Sequence, residues 1–237
     1  MKICGFMKTT LLDYPGHVAC TIFTGGCNLR CPFCHNSELL DQDLPSEYSE
    51  EEIFAFLEKR KMLLEGVVIS GGEPTLQRDL PDFARRIKEA TGLDIKLDTN
   101  GTDPATLRIM IEEGLVDFVS MDIKSGPSGY MKAAGLPDEA SERILSRVRE
   151  SMDILRNGSL PYEFRTTVVD GIHVRKDFEA LGPFIEGCGR YYLQCYKESD
   201  MVLDLDAGFG SPSKEELLEY AELVRPYVGS VELRGID

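Results

Sequence analysis

The chain reads as an α/β fold, a partial (β/α)6 TIM-like barrel. Two patterns predict it. Short β-branched apolar runs alternate with segments of helical periodicity, an order that implies parallel strands joined by right-handed crossovers. Ionisable and polar residues recur where the apolar runs end, which is where barrels of this kind gather their reacting groups. The 237 residues suit one domain over 1–237, with a cysteine loop at 25–36, ligand-facing strand ends to about 196, and a C-terminal helix and edge strand over 212–234.

The elements follow in order. His17 to Thr24 is the first strand and delivers the cysteine loop at its carboxyl end. Ser49 and Glu52 form a capping box for a helix whose Ile53, Phe56, Leu57 and Leu64 share one face. Val67 to Ser70 is a buried parallel strand, and Asp79 to Ala90 the helix after it. Ile95 to Asp98 is the third strand, followed by a helix capped by Asp103 with Pro104 at its first position. Val116 to Asp122, Tyr162 to Val169 and Arg190 to Cys195 give three more strands, with a helix from Asp138 to Arg156 between the first two. The last helix starts near Ser213, which pairs with Glu216 as a capping box, and Val231 to Leu233 adds an edge strand.

Composition bounds the function. Lys and Arg number 26 against 41 Asp and Glu, a net charge of −15. This opposes nucleic-acid binding, where phosphates need clustered cations, and suits solubility, a protein partner or a small ligand. No apolar run approaches the ~20 residues of a membrane span. Nothing at the N-terminus resembles a secretory signal, so a cytoplasmic setting with reduced thiols is expected.

Cys27, Cys31 and Cys34, spaced C-x3-C-x2-C, carry the strongest chemical signal. Three thiolates suit an iron–sulfur cubane with one iron left open to a small molecule. Cys27, Cys31, Cys34 and His35 could instead form a Cys3His zinc site, although no second C-x2-C knuckle accompanies them. Cys4, Cys20, Cys188 and Cys195 are scattered singly. The second signal is Gly71-Gly72-Glu73-Pro74 directly after Val67-Val68-Ile69-Ser70: two glycines let backbone approach a ligand, Glu73 adds an acceptor and Pro74 fixes the exit.

The cysteine loop and the Gly-Gly-Glu-Pro turn together resemble the radical S-adenosylmethionine (SAM) superfamily. Asp13-Tyr14-Pro15-Gly16, and the segment from Phe23 to the Cys34-His35-Asn36 ending, are similar to the N-terminal region of glycyl-radical-enzyme activating proteins. Leu97-Asp98-Thr99-Asn100-Gly101 and Met121-Asp122-Ile123-Lys124 resemble two strand ends with which the pyruvate formate-lyase activator holds SAM and a monovalent cation. Tyr192-Leu193-Gln194 resembles the longer type of anaerobic ribonucleoside-triphosphate reductase activating protein.

The resemblance implies a [4Fe–4S] cluster on Cys27, Cys31 and Cys34, with the open iron chelating the amino and carboxyl groups of SAM. It implies SAM contacts from Gly71, Gly72, Glu73, Asp98, Asp122, Lys124, Arg165 and Gln194, and a monovalent cation at Asp98, Thr99 and Asp122. Gln194 departs from relatives that place a histidine near the SAM ribose. The implied activity is reductive cleavage of SAM to a 5′-deoxyadenosyl radical that takes hydrogen from a glycine of a large glycyl-radical enzyme. Its electron comes from a low-potential donor such as a flavodoxin or ferredoxin. Ribonucleotide reductase leads as partner, with pyruvate formate-lyase next; no inserted ferredoxin-like domain lies between Asn36 and Ser70. Two other readings stay open: a radical SAM enzyme acting on a small molecule, and a non-catalytic zinc-binding interaction module.

Residue chemistry bears on these assignments. Asp98 and Asp122 sit in apolar strands and need partners there. Lys124 shares a face with Asp122 because strand side chains alternate. Arg165 suits either a carboxylate ligand or a salt bridge inside the barrel. His17 and His173 read as satisfied structural residues.

Overall fold

The structure is a computed structural model that describes residues 1–199 and 202–236. They gather into two compact units. The first comprises Met1–Asn28, Glu38–Thr99 and Asp103–Ser120; the second comprises Leu29–Ser37, Asn100–Thr102 and the chain from Met121 onward.

The first unit opens with β1 (Ile3–Thr10), which the sequence did not suggest as a strand, paired antiparallel to β2 (Ala19–Thr24). The predicted strand at His17 thus starts two residues later. Helix α1 (Glu50–Arg60) has the expected capping box: Ser49 Oγ accepts from Glu52 N–H at 3.2 Å and Ser49 N–H donates to Glu52 Oε2 at 2.8 Å. Its face buries Ile53 and Leu57, whereas Leu64 is buried beyond the helix end.

Strand β3 (Gly66–Gly71) runs parallel to β2. Val67, Val68 and Ile69 are fully buried, each contributing ~1.5–3 kcal/mol of transfer free energy. Helix α2 (Leu80–Thr91) ends on Gly92 at φ +69, a left-handed cap that suits glycine. Strand β4 (Asp94–Thr99) is parallel to β3, and helix α3 (Pro104–Glu112) starts on Asp103, whose Oδ1 accepts from Thr106 N–H at 3.2 Å. Strand β5 (Phe118–Asp122) begins in this unit and ends in the other.

The second unit adds the short helix α4 (Tyr130–Ala134) and helix α5 (Ser141–Asn157), which a 3-10 turn at Asp138–Ala140 precedes. Strand β6 (Tyr162–Val168) is followed by helix α6 (Arg175–Phe184), absent from the sequence reading, and by the parallel strand β7 (Arg190–Cys195). Helix α7 (Lys214–Val224) carries the predicted Ser213–Glu216 capping box, and β8 (Ser230–Arg234) lies parallel to β7 with Tyr191 opposite Val231. Among the described residues, no helix is long and apolar enough to cross a membrane.

Candidate active site

In the first unit the root of the cysteine loop is tied down by backbone. Gly26 N–H donates to Leu39 O at 2.8 Å and Cys27 N–H to Leu40 O at 3.2 Å. The Gly-Gly-Glu-Pro turn at the end of β3 lies against it: Gly72 N–H donates to Thr24 O at 2.9 Å and Glu73 N–H to Gly26 O at 2.8 Å. A Cβ on Gly72 would stand 2.2 Å from Gly26 O, and Gly71 has φ +116. The glycines therefore serve a close approach between two backbones of the protein, a use the sequence reading did not include.

Beside this turn, Glu73 is buried, and its Oε1 accepts from Thr75 Oγ1 and Thr99 Oγ1, each at 2.6 Å. Asp98, next to last in β4, accepts from Ser70 Oγ on Oδ2 at 3.0 Å and is ion-paired through Oδ1 to Lys96 Nζ. Lys96 is only 1% exposed and was not nominated from sequence. The signal was available: a lysine two residues before a strand-end aspartate lies on its face of the strand.

In the second unit, Cys31 and Cys34 belong to one tight turn in which Cys34 N–H donates to Cys31 O at 3.0 Å. Arg30 N–H donates to Ala134 O at the end of α4 at 2.9 Å. Gly135, at φ +64, admits this contact; a Cβ there would stand 1.8 Å from Arg30 O. Asp204 N–H donates to Pro32 O at 2.9 Å, and His35 stacks on Tyr196 with centroids 5.1 Å apart. Burial pushes the Cys31 thiol up to about 11, against the pull of Lys124.

The same unit holds a charged group at the end of β5. Asp122 receives Lys124 Nζ at 3.1 Å on Oδ2 and Arg165 Nε on Oδ1. Burial works to raise the Asp122 carboxyl, but the two cations outweigh it and hold the group well below the usual carboxylate range. Burial likewise works against the Lys124 ammonium, and Asp122 with Cys31 raises it above its ordinary value. Arg165 lies mid-strand in β6 and makes the salt bridge that sequence chemistry allowed. Phe33, Asp122, Ile123, Lys124, Arg165 and Thr167 line a small cavity. Gln194, half-buried in β7, sits opposite Thr167 and Arg234.

His173 was assigned no role from sequence. Its Nδ1 accepts from Val169 N–H at 3.1 Å, which leaves Nε2–H to donate to Lys124 O at 2.8 Å. The ring is thereby held neutral, burial pushes its pKa below the ordinary value, and it fixes the backbone that carries Lys124.

Comparison with known proteins fits these motifs. The model of the radical SAM superfamily matches residues 21–174. A Methanocaldococcus jannaschii protein, provisionally named a glycyl-radical enzyme activating enzyme, is 30% identical over 236 residues, 99% of this chain and 96% of that one. Among solved structures, Streptococcus suis SuiB bound to S-adenosylmethionine aligns with a TM-score of 0.66 at 15% identity, over 89% of this chain and about half (48%) of that one. QueE from Escherichia coli aligns with a TM-score of 0.53 at 18% identity, over 99% of this chain and 93% of that one. By its sequence and its α/β fold of the partial-barrel type, the chain belongs to the radical SAM superfamily.

Proposed function

We propose that this chain is a radical SAM activase that takes a hydrogen atom from a glycine of a large glycyl-radical enzyme. Anaerobic ribonucleoside-triphosphate reductase is the leading partner and pyruvate formate-lyase the nearest substitute. The observation that carries this reading is the 30% identity, over 99% of the chain, to a relative provisionally named for that activity. The tilt toward the reductase rests on overall family likeness, to which the resemblance of Tyr192-Leu193-Gln194 adds.

The superfamily implies a [4Fe–4S] cluster and SAM, and the donor chemistry fits them. Cys27, Cys31 and Cys34 carry sulfur, a soft donor that suits iron in sulfide clusters, and backbone hydrogen bonds pin the segments that carry them. When bound, these cofactors supply the one-electron cleavage of the SAM sulfonium that yields methionine and a 5′-deoxyadenosyl radical. The chain's own residues bind, orient and exclude water. Cys27, Cys31 and Cys34 hold the cluster. Lys124 and Arg165 together exceed the charge of Asp122 by one, which suits the SAM carboxylate, and a guanidinium offers it a planar fork. Glu73, in the turn with Gly71 and Gly72, is an acceptor for the SAM ammonium; Asp98, whose charge Lys96 balances, is an acceptor for a neutral donor of SAM, and Gln194 offers an amide to the nucleoside. The electron arrives from a separate low-potential donor.

The test is anaerobic. Protein reconstituted with iron and sulfide is reduced, given SAM and each candidate partner, and assayed for 5′-deoxyadenosine and for a glycyl-radical signal by electron paramagnetic resonance. Wild type is expected to generate both, with the radical on the reductase, and a Cys27/Cys31/Cys34 triple-alanine variant neither. Cluster-loaded, SAM-bound protein that leaves no radical on either partner overturns the activase reading. Cys31→Ala is expected to lose nearly all iron, while Cys4→Ala and Cys20→Ala retain it.

A further inference from the structure

The family resemblance nominates Asp98, Thr99 and Asp122 for a monovalent cation, and the residues present do not fit one. In the first unit, Lys96 and Asp98 lie on one face of β4, and the Lys96 ammonium is bonded to Asp98 Oδ1 while Ser70 Oγ donates to Oδ2 at 3.0 Å. An ammonium this deeply buried is costly without an opposite charge beside it, so the pair is built as a pair. The Thr99 hydroxyl is turned to Glu73 Oε1 at 2.6 Å. In the second unit, Asp122 carries Lys124 on one oxygen and Arg165 on the other, so that group is already positive by one charge. A metal cation brought to either carboxylate would meet a like charge that is covalently tethered and cannot be displaced by dilution.

Potassium and an alkylammonium are similar in charge and in their preference for oxygen partners, and the lysine head is a compact point charge with three donors. Tethering raises its effective concentration beside the carboxylate above that of a dissolved ion. We propose that Lys96 is a built-in replacement for the monovalent cation at Asp98, so that this chain orders that carboxylate, and binds SAM, without sodium or potassium. The SAM half of the inference rests on the proposed function; the cation half does not.

Two measurements on the full chain test it, each in choline chloride, sodium chloride and potassium chloride at equal ionic strength. The first is thermal unfolding without SAM. Wild type is expected to unfold at the same temperature in all three salts, whereas Lys96→Met, which leaves Asp98 without its ammonium, falls by roughly 4 °C or more in choline and regains part of the loss in potassium or sodium. The second is SAM affinity of the cluster-loaded protein by equilibrium dialysis. Wild type is expected to vary by less than about twofold across the salts, and Lys96→Met to bind about tenfold more weakly in choline with recovery in potassium.

A wild-type affinity that rises about tenfold when potassium replaces choline overturns the proposal, because a dissolved cation is then required. So does a folded Lys96→Met that answers to neither metal cation in either measurement. Should Lys96→Met fail to fold, the wild-type salt series decides alone. If wild type binds no SAM in any salt, the proposed function falls, and the unfolding series still decides whether Lys96 stands in for a cation.

Discussion

At the scale of single residues, the site depends on atoms that are missing as much as on those present. Gly72→Ala puts a methyl 2.2 Å from the Gly26 carbonyl at the root of the cysteine loop, and should destabilise the protein by ~1–3 kcal/mol in chemical denaturation. Asp122 makes a prediction about acid. Its folded pKa lies below the unfolded value, so the stability it contributes is fully present above about pH 4 and drains away as pH falls below that. Asp122→Asn should be less stable at neutral pH, because Lys124 and Arg165 lose the carboxylate charge between them, yet lose less further stability between about pH 4 and pH 2 than wild type does; unfolding midpoints across that range read the difference. Much of this residue chemistry was legible. The cysteine spacing, the Gly-Gly turn and the need of Asp98 and Asp122 for partners all follow from sequence. Lys96 escaped because a lysine in a strand reads as an exposed side chain; the face it shares with Asp98 is legible from strand alternation, whereas its burial is not. The tie from His173 to the Lys124 backbone spans 49 residues and has no local signature.

At the scale of elements, local hydrogen bonding decided what could be read. The caps at Ser49, Asp103 and Ser213 are short-range devices, and each helix starts where its cap predicts. Ser213→Ala should therefore cost ~1 kcal/mol in denaturant unfolding, because Glu216 N–H loses its 3.2 Å acceptor. Helix α6 was missed for the converse reason. Its N-cap position is Val174, and Gly182-Pro183 interrupts the pattern in its last turns. Gly182 is kept by a tertiary neighbour, since a Cβ there would stand 2.4 Å from the Tyr227 ring. Strand β1 was missed because it is antiparallel and half-solvated, with Met7, Lys8 and Thr9 exposed, so it lacks the unbroken apolar run that marks β3.

At the scale of the whole molecule, charge is the dominant global property. With a net charge of −15, self-repulsion opposes the folded state and salt relieves it. The unfolding temperature of wild type should rise by roughly 2–4 °C between low and physiological ionic strength, equally in choline and potassium salts, since screening is indifferent to which cation provides it. The three histidines offer a different gauge of the molecule. His35 is exposed and His17 is half-buried against Tyr14, whereas both ring nitrogens of His173 are engaged by backbone in the interior. An acylating reagent such as diethyl pyrocarbonate should thus modify two rings promptly in the folded protein and reach the third only when the Lys124 and Val169 segments part. The slow third reaction becomes a clock for breathing of the very backbone that carries Lys124.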